Sequence, residues 1–339
     1  MGAVFGIVGH ADADELSRLS DRLSHRGPAG AHWSLSSTVH LGVRGTDAAV
    51  RQMQGGPVVF DGAIDNRAEL DALLKRRSES LNDDPFLLHQ LFTTLRTDGF
   101  QHIAGQFACA IWDGRTLLLA RDRIGYAPLY FTVAGERLIF ASEYKALLGI
   151  SAVPARPNRD ALQVIQSTKW VLPGATCLEG VYPVAPGTWM AVEPGSITTA
   201  RFWDLPIRVL HHNEEEHVAA LRSSFLETLR RQTAPYQRIG VSLSGGLDSA
   251  VMAAGARAVA PDKELHTFSA GYGSDDRELV NAERVARELG SRHHPLVLDP
   301  EDLPTLLPWM AETGSERALA RSATARRCWP KARICQVRT

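Results

Sequence analysis

The sequence predicts two folds in series, an α+β layered sandwich followed by an α/β doubly wound domain, on three observations. Over residues 1–205 short apolar runs and short helical spacings follow one another without a fixed order, as in hairpin-connected sheets covered by helices. From residue 213 helix and strand patterns alternate strictly, which calls for parallel strands joined by crossover helices. Between them a Pro-rich stretch, 153–206, contains VPARPN, VLPGAT, VYPVAPGTW and FWDLP. It places the domain boundary near Pro206.

Taken in order, AVFGIV (3–8), STVHLGV (37–43), GQFACAIWD (105–113), RTLLLARD (115–122), LYFTV (129–133) and RLIFAS (137–142) read as strands broken by Gly, Asp and Pro turns. Leu and Phe at helical spacing mark 12–23, 66–76 and 84–98 as helices. The second domain reads as helix 213–231, strand 238–243, helix 247–259, strand 265–270, helix 276–289, strand 294–298 and helix 301–311. Residues 315–339 depart from this: they are basic, hold two of the four cysteines and lack a periodic apolar face. They are expected to be an aberrant tail, out of frame or disordered, which leaves the sheet incomplete and the chain inactive.

Composition narrows the function classes. With 339 residues, 44% hydrophobic and 22% charged, the chain is that of a globular protein with real cores. Its 37 Lys+Arg against 38 Asp+Glu create no field drawing it to nucleic acid or anionic lipid. No signal peptide or membrane span is expected, and Cys109, Cys177, Cys328 and Cys335 stand apart without metal spacing. A cytoplasmic location follows as the expectation.

The chemistry is concentrated in LSGGLDSA, residues 243–250, at the end of a strand and the start of a helix. Ser244-Gly245-Gly246 allows close backbone approach, and the helix start turns N–H groups toward one point, so an anion belongs there. Walker spacing is absent. Asp248 is suited to Mg²⁺ carried on a pyrophosphate, with the Ser244 and Ser249 hydroxyls on phosphate oxygens.

This stretch resembles the PP-loop of ATP pyrophosphatases, which release pyrophosphate while adenylating a carboxylate. ELHTFSAGY, NAERVARELGSRHHPLVL and WMAETG are similar to successive segments of the asparagine synthetase synthase domain. Upstream, FGIVG, LSHRGP, FDGAIDNRAEL, GQFACAIWD, ARDRIGYAPLYF and FASEYKALL resemble the class II glutaminase half in order and spacing. The resemblance implies an N-terminal-nucleophile-type sandwich over 1–205 and the first part of an adenine nucleotide alpha hydrolase-like domain over 206–314. It also implies that Leu243 and Ala270 offer backbone groups to adenine, and that Ser244, Gly245, Gly246, Asp248 and Ser249 face the pyrophosphate. Ala250 replaces a family serine, a loss of about 1 kcal/mol at most.

Three departures fall on one pocket. Gly2 stands where the family has its cysteine nucleophile, so no catalytic residue is expected there. Asp61-Gly62-Ala63 replaces the family's Asn-Gly-Glu, removing an oxyanion donor and a carboxylate. Arg44 and Asp83 match other glutamine contacts, and the simpler reading of them is a structural ion pair. Relatives lacking the cysteine close an amide within one substrate, as β-lactam synthetases and lasso-peptide cyclases do, and KWVLPGATCLEGVYPVAPGTW looks most similar to the lasso branch. The expected partners are ATP, Mg²⁺ and a carboxylate substrate read as a precursor peptide, with a homodimer as an open arrangement. A glutamine-hydrolysing asparagine synthetase and a non-catalytic nucleotide- or peptide-binding remnant remain alternatives. His293-His294 is expected to cap a helix, and Trp170 and Trp189 to lie either in a core or on a peptide surface.

Overall fold

A computed structural model of the chain describes residues 2–27, 30–45, 49–53, 56–75, 83–193, 195–207, 213–273, 275–299, 301, 304, 307–308 and 335–337. The chain divides into two units, Met1–Ile207 and Arg208–Thr339.

The first unit is built from β1 (Ala3–Val8), α1 (Ala13–Arg22), β2 (Gly30–Ser36), β3 (Val39–Arg44), β4 (Ala49–Met53), β5 (Gly56–Ile64), α2 (Arg67–Leu73) and α3 (Asp84–Leu95). After α3 come β6 (Gly105–Trp112), β7 (Leu117–Arg121), β8 (Tyr130–Ala134), β9 (Arg137–Ala141), α4 (Tyr144–Leu147) and α5 (Arg159–Thr168). The unit closes with β10 (Val181–Pro183), β11 (Thr188–Glu193) and β12 (Ser196–Arg201). Two six-stranded antiparallel sheets form, in the orders β10-β8-β9-β1-β3-β2 and β12-β11-β7-β6-β5-β4.

Strand periodicity explains the layers. Alternate residues of β1 face opposite ways: Val4 and Val8 join Val59, Ala108, Leu119 and Met190 between the sheets, while Ala3, Phe5 and Ile7 pack with Leu16, Leu19 and Leu147 of α1 and α4. On the far side of the second sheet Phe60, Phe107 and Ile111 meet Leu87, Leu88 and Leu91 of α3. The result is helix, sheet, sheet, helix. The same alternation puts Asp61 in register with Val59, toward the other sheet, at 6% exposure.

The Pro-rich stretch 153–206, for which the sequence names no elements, holds α5 and the last three strands of this unit. Pro183 is tolerated because it ends the edge strand β10.

The second unit contains α6 (Glu214–Thr233), β13 (Arg238–Ser242), α7 (Leu247–Val259), β14 (Glu264–Tyr272), α8 (Arg277–Glu288), β15 (Arg292–Leu298) and β16 (Cys335–Val337). Its sheet is parallel, in the order β15-β14-β13-β16. Ile239, Val241 and Leu243 pack under Leu229, Ala253, Ala256, Ala282 and Ala286. Asn213 opens α6 with a reciprocal capping box to Glu216.

Two expectations need correction. Residues 335–337 do not stand outside the fold as part of a tail: their backbone fills the free side of β13, so among the described residues the sheet has four strands, not three. His293 and His294 do not cap α8. That helix is closed by Gly290, whose N–H donates to Arg287 O at 3.1 Å while Ser291 N–H donates to Ala286 O at 3.0 Å. The two histidines lie in β15 instead, facing opposite sides. Most of the expected helix 301–311 and residues 315–334 lie outside the described residues.

Candidate functional site

Gly2 enters β1 with its backbone held at both ends. Its N–H donates to Asp61 Oδ1 at 2.8 Å, and its carbonyl accepts from Arg26 Nε at 2.6 Å. The Arg26 guanidinium, 9% exposed, also reaches Asp61 Oδ2 at 3.2 Å and Glu143 Oε1 at 2.9 Å. His25 Nε2 lies 2.9 Å from Glu143 Oε1, and Lys145 Nζ lies 2.9 Å from Glu143 Oε2. One arginine thus ties β1, β5 and the approach to α4 together.

Burial pushes the Glu143 carboxyl up, but the hydrogen bond with His25 and the charges of Arg26, His25 and Lys145 outweigh it and hold the group down at about 2. The acid is ionised and internally neutralised. Where the family resemblance calls for a thiol, the chain has a backbone amide already bonded to Asp61. Among the cysteines with described side chains, Cys109 is buried in β6, where burial pushes its thiol up, and Cys177 follows α5. Neither accompanies Gly2 in this cluster.

Arg44 and Asp83 do not form the ion pair expected of them. Arg44 donates to Gly27 O and to Ser20 Oγ, both at 2.9 Å. Asp83 caps α3, accepting from Phe86 N–H at 3.0 Å. Gly62 and Ala63 continue β5 beside Phe107 and Gln106. The sequence marks Asp61 and reads His25-Arg26 as part of a structural turn bordering this pocket, but it does not single out Glu143 or Lys145. The signal lay in two quoted motifs, since LSHRGP and FASEYKALL contribute His25 and Arg26, and Glu143 and Lys145.

In the second unit β13 stops at Ser242, and Leu243 is held by its N–H on Phe268 O at 2.7 Å. With that amide bonded, only the Leu243 carbonyl is left to face a base. The β13 ladder ends at Ser242–Phe268, so Ala270 lies beyond it while still pairing with Leu296 on the other side. Gly245 takes φ +75°, and a Cβ there would meet Glu278 O at 2.5 Å. Only glycine fits under α8 at this turn. Gly246 then caps α7 without a side-chain bond, and Asp248 is exposed in the first turn.

The amides of Gly245, Gly246, Leu247 and Asp248 donate to no acceptor among the described residues. Four unmet donors at a helix start, beside the Ser244 hydroxyl, form an anion cradle. Among the described residues no group of three or more His, Cys, Asp or Glu could hold a metal ion. A lone carboxylate such as Asp248 suits Mg²⁺ whose other ligands are phosphate oxygens and water.

The remaining candidates sort by burial. Trp189 is half-buried against the Phe60 and Phe107 cluster, whereas Trp170 is 67% exposed. His293 bonds to Thr267 Oγ1 and Ser269 Oγ through its two ring nitrogens, and His294 faces His266 at 3.0 Å. No described helix is long and apolar enough to cross a membrane.

Comparison with known proteins bears on both units. A family model described as a glutamine amidotransferase domain matches residues 1–203, and one described as asparagine synthase matches residues 220–332. The chain is 28% identical over 319 residues to asparagine synthetase [glutamine-hydrolyzing] 3 of Bacillus subtilis, covering 85% of this chain and 52% of that protein. It is 32% identical over 296 residues to the carboxyethyl-arginine beta-lactam-synthase of Streptomyces clavuligerus, covering 84% and 54%. The chain spans about half the length of these curated relatives.

Proposed function

The chain belongs to the glutamine amidotransferase domain family and continues into an asparagine synthase segment, and from that premise we propose that it serves an ATP-dependent amide-forming ligase that does not draw ammonia from glutamine. The observation that carries this reading is the cluster at Gly2, where a bonded amide and an arginine between two carboxylates stand in place of a nucleophile. Without ammonia, the attacking amine must come from the substrate. The likeness to a β-lactam synthase supports amide closure within one molecule.

We place the chain in the lasso-peptide cyclase branch, with a precursor peptide whose Asp or Glu side chain is adenylated and whose N-terminal amine closes the ring. ATP would lie with its phosphates on the amides of Gly245 to Asp248 and its base toward Leu243 and Ala270. Asp248 would hold Mg²⁺ on those phosphates. The metal would neutralise the pyrophosphate as it leaves. The first unit then keeps its fold as a scaffold.

The test is ATP–pyrophosphate exchange. Exchange stimulated by a precursor peptide supports the proposal, and exchange stimulated by free aspartate overturns the peptide assignment. A second reading, glutamine-hydrolysing asparagine synthesis, draws on the Bacillus relatives and requires glutamate release from glutamine. Measurable ATP binding with neither activity would assign this chain nucleotide binding without turnover.

A further inference from the structure

The two serines of LSGGLDSA do different work in the structure. Ser249 is 5% exposed, and its hydroxyl is engaged on three sides. Oγ accepts the Ser244 N–H at 3.1 Å, lies 3.1 Å from Ser244 Oγ, and donates to the Gly246 carbonyl at 3.1 Å. A serine hydroxyl has one proton and two acceptor positions. With its proton on the Gly246 carbonyl, its acceptor positions take the amide and hydroxyl of Ser244. Phosphate oxygens only accept, and in this arrangement the Ser249 proton is already committed inside the turn. Ser244 is exposed, and its proton can swing from Ser249 to an incoming oxygen while its amide stays bound.

We infer that Ser249 is a positioning residue: it clamps the turn from within, fixing Ser244 and Gly246 so that the amides of Gly245 to Asp248 converge, and Ser244 alone is the phosphate-contacting hydroxyl. The clamp crosses the turn at its tightest point. Gly245 at φ +75° is wedged under Glu278 O and Asn281 on one side, and the Ser249 bridge closes the other. Losing the bridge frees both residues flanking Gly245, and amides that no longer converge hold a phosphate poorly. This inference deepens the nucleotide reading above and rests on it for the ligand.

The experiment uses the full chain and the variants Ser249→Ala, Ser249→Thr and Ser244→Ala, each checked for an unchanged far-ultraviolet spectrum. Two quantities are measured: amide hydrogen exchange over residues 240–250 in the free protein, and binding of Mg²⁺-pyrophosphate by calorimetry. Ser249→Ala is expected to speed exchange at Ser244 by at least tenfold and to weaken pyrophosphate binding by about tenfold, with Ser249→Thr restoring both. Ser244→Ala should weaken binding while leaving exchange at its own amide slow. Weaker binding in Ser249→Ala with exchange unchanged would make Ser249 a direct ligand and overturn the inference, as would unchanged exchange with unchanged binding. If the parent chain binds no pyrophosphate, the nucleotide reading fails, and the exchange measurement still decides whether the clamp exists.

Discussion

The strand start at Gly2 and the turn at Gly245 are both sites where a strand end meets a polar cluster, and they are in opposite states. At Gly2 every group found has a partner: the amide is on Asp61, the carbonyl on Arg26, and Arg26 bridges to Glu143. At Gly245 four consecutive amides have no acceptor among the described residues, and a carboxylate stands exposed beside them. A satisfied cluster contributes rigidity, whereas an unsatisfied one is a standing demand for a ligand. On the proposed function, the comparison separates a unit that scaffolds from one that binds.

Removing Arg26 should show the largest effect. Arg26→Met leaves Asp61 without its cation and Glu143 with only His25 and Lys145, which is expected to cost about 4 kcal/mol in urea unfolding of the first unit. A loss below about 1 kcal/mol would mean the cluster at Gly2 is not a structural tie. Next is Gly245→Ala, where an overlap with a backbone carbonyl at positive φ cannot relax, so a loss of roughly 3 kcal/mol together with loss of ATP binding is expected. Gly290→Ala is the control: it sits at φ +59° with nothing within 4 Å and should lose about 1 kcal/mol.

Acid unfolding sharpens the same contrast. The Glu143 carboxyl is depressed from 4.5 to about 2, so its contribution is complete above about pH 4.5 and is lost as pH falls toward 2. By linkage that is roughly 3 kcal/mol. Glu143→Gln should flatten the stability profile of the first unit over that window while leaving nucleotide binding unaltered at pH 7. The smallest expected effect is that of Gly2→Cys. Glutamate release from glutamine should stay at background, because Ala63 lacks the carboxylate that the resemblance calls for and Arg26 and Asp61 still close the site.

Much of the architecture was legible in the residues. Alternation in AVFGIV and GQFACAIW and strict βα order after residue 213 led to the observed sheets. The Pro-rich stretch marked where the first unit ends, but the elements inside it were not legible, because prolines at an edge strand and in turns mask short strands such as β11 and β12, which pair along their full length. In the loop, residue identity indicated an anion site but not the direction of the Ser249 hydroxyl, which depends on the bend at Gly245. At Gly2 the loss of a nucleophile was evident from one letter. That Arg26 and Asp61 hold the Gly2 backbone could not be seen, because Gly2, Arg26, Asp61 and Glu143 are brought together only by tertiary structure.

The fourth strand of the parallel sheet carries a kinetic consequence. Ile239–Val241 finds its second neighbour in Cys335–Val337, almost the whole second unit away along the chain. Pairings of such wide sequence separation form late, and they form only after the intervening loop has been closed. During synthesis β13 stands as an open sheet edge, with bare ladder groups, until residues 335–337 have left the ribosome. The strand that leads into the LSGGLDSA turn is thus a point at which a pausing or crowded nascent chain is open to pairing with another copy of itself.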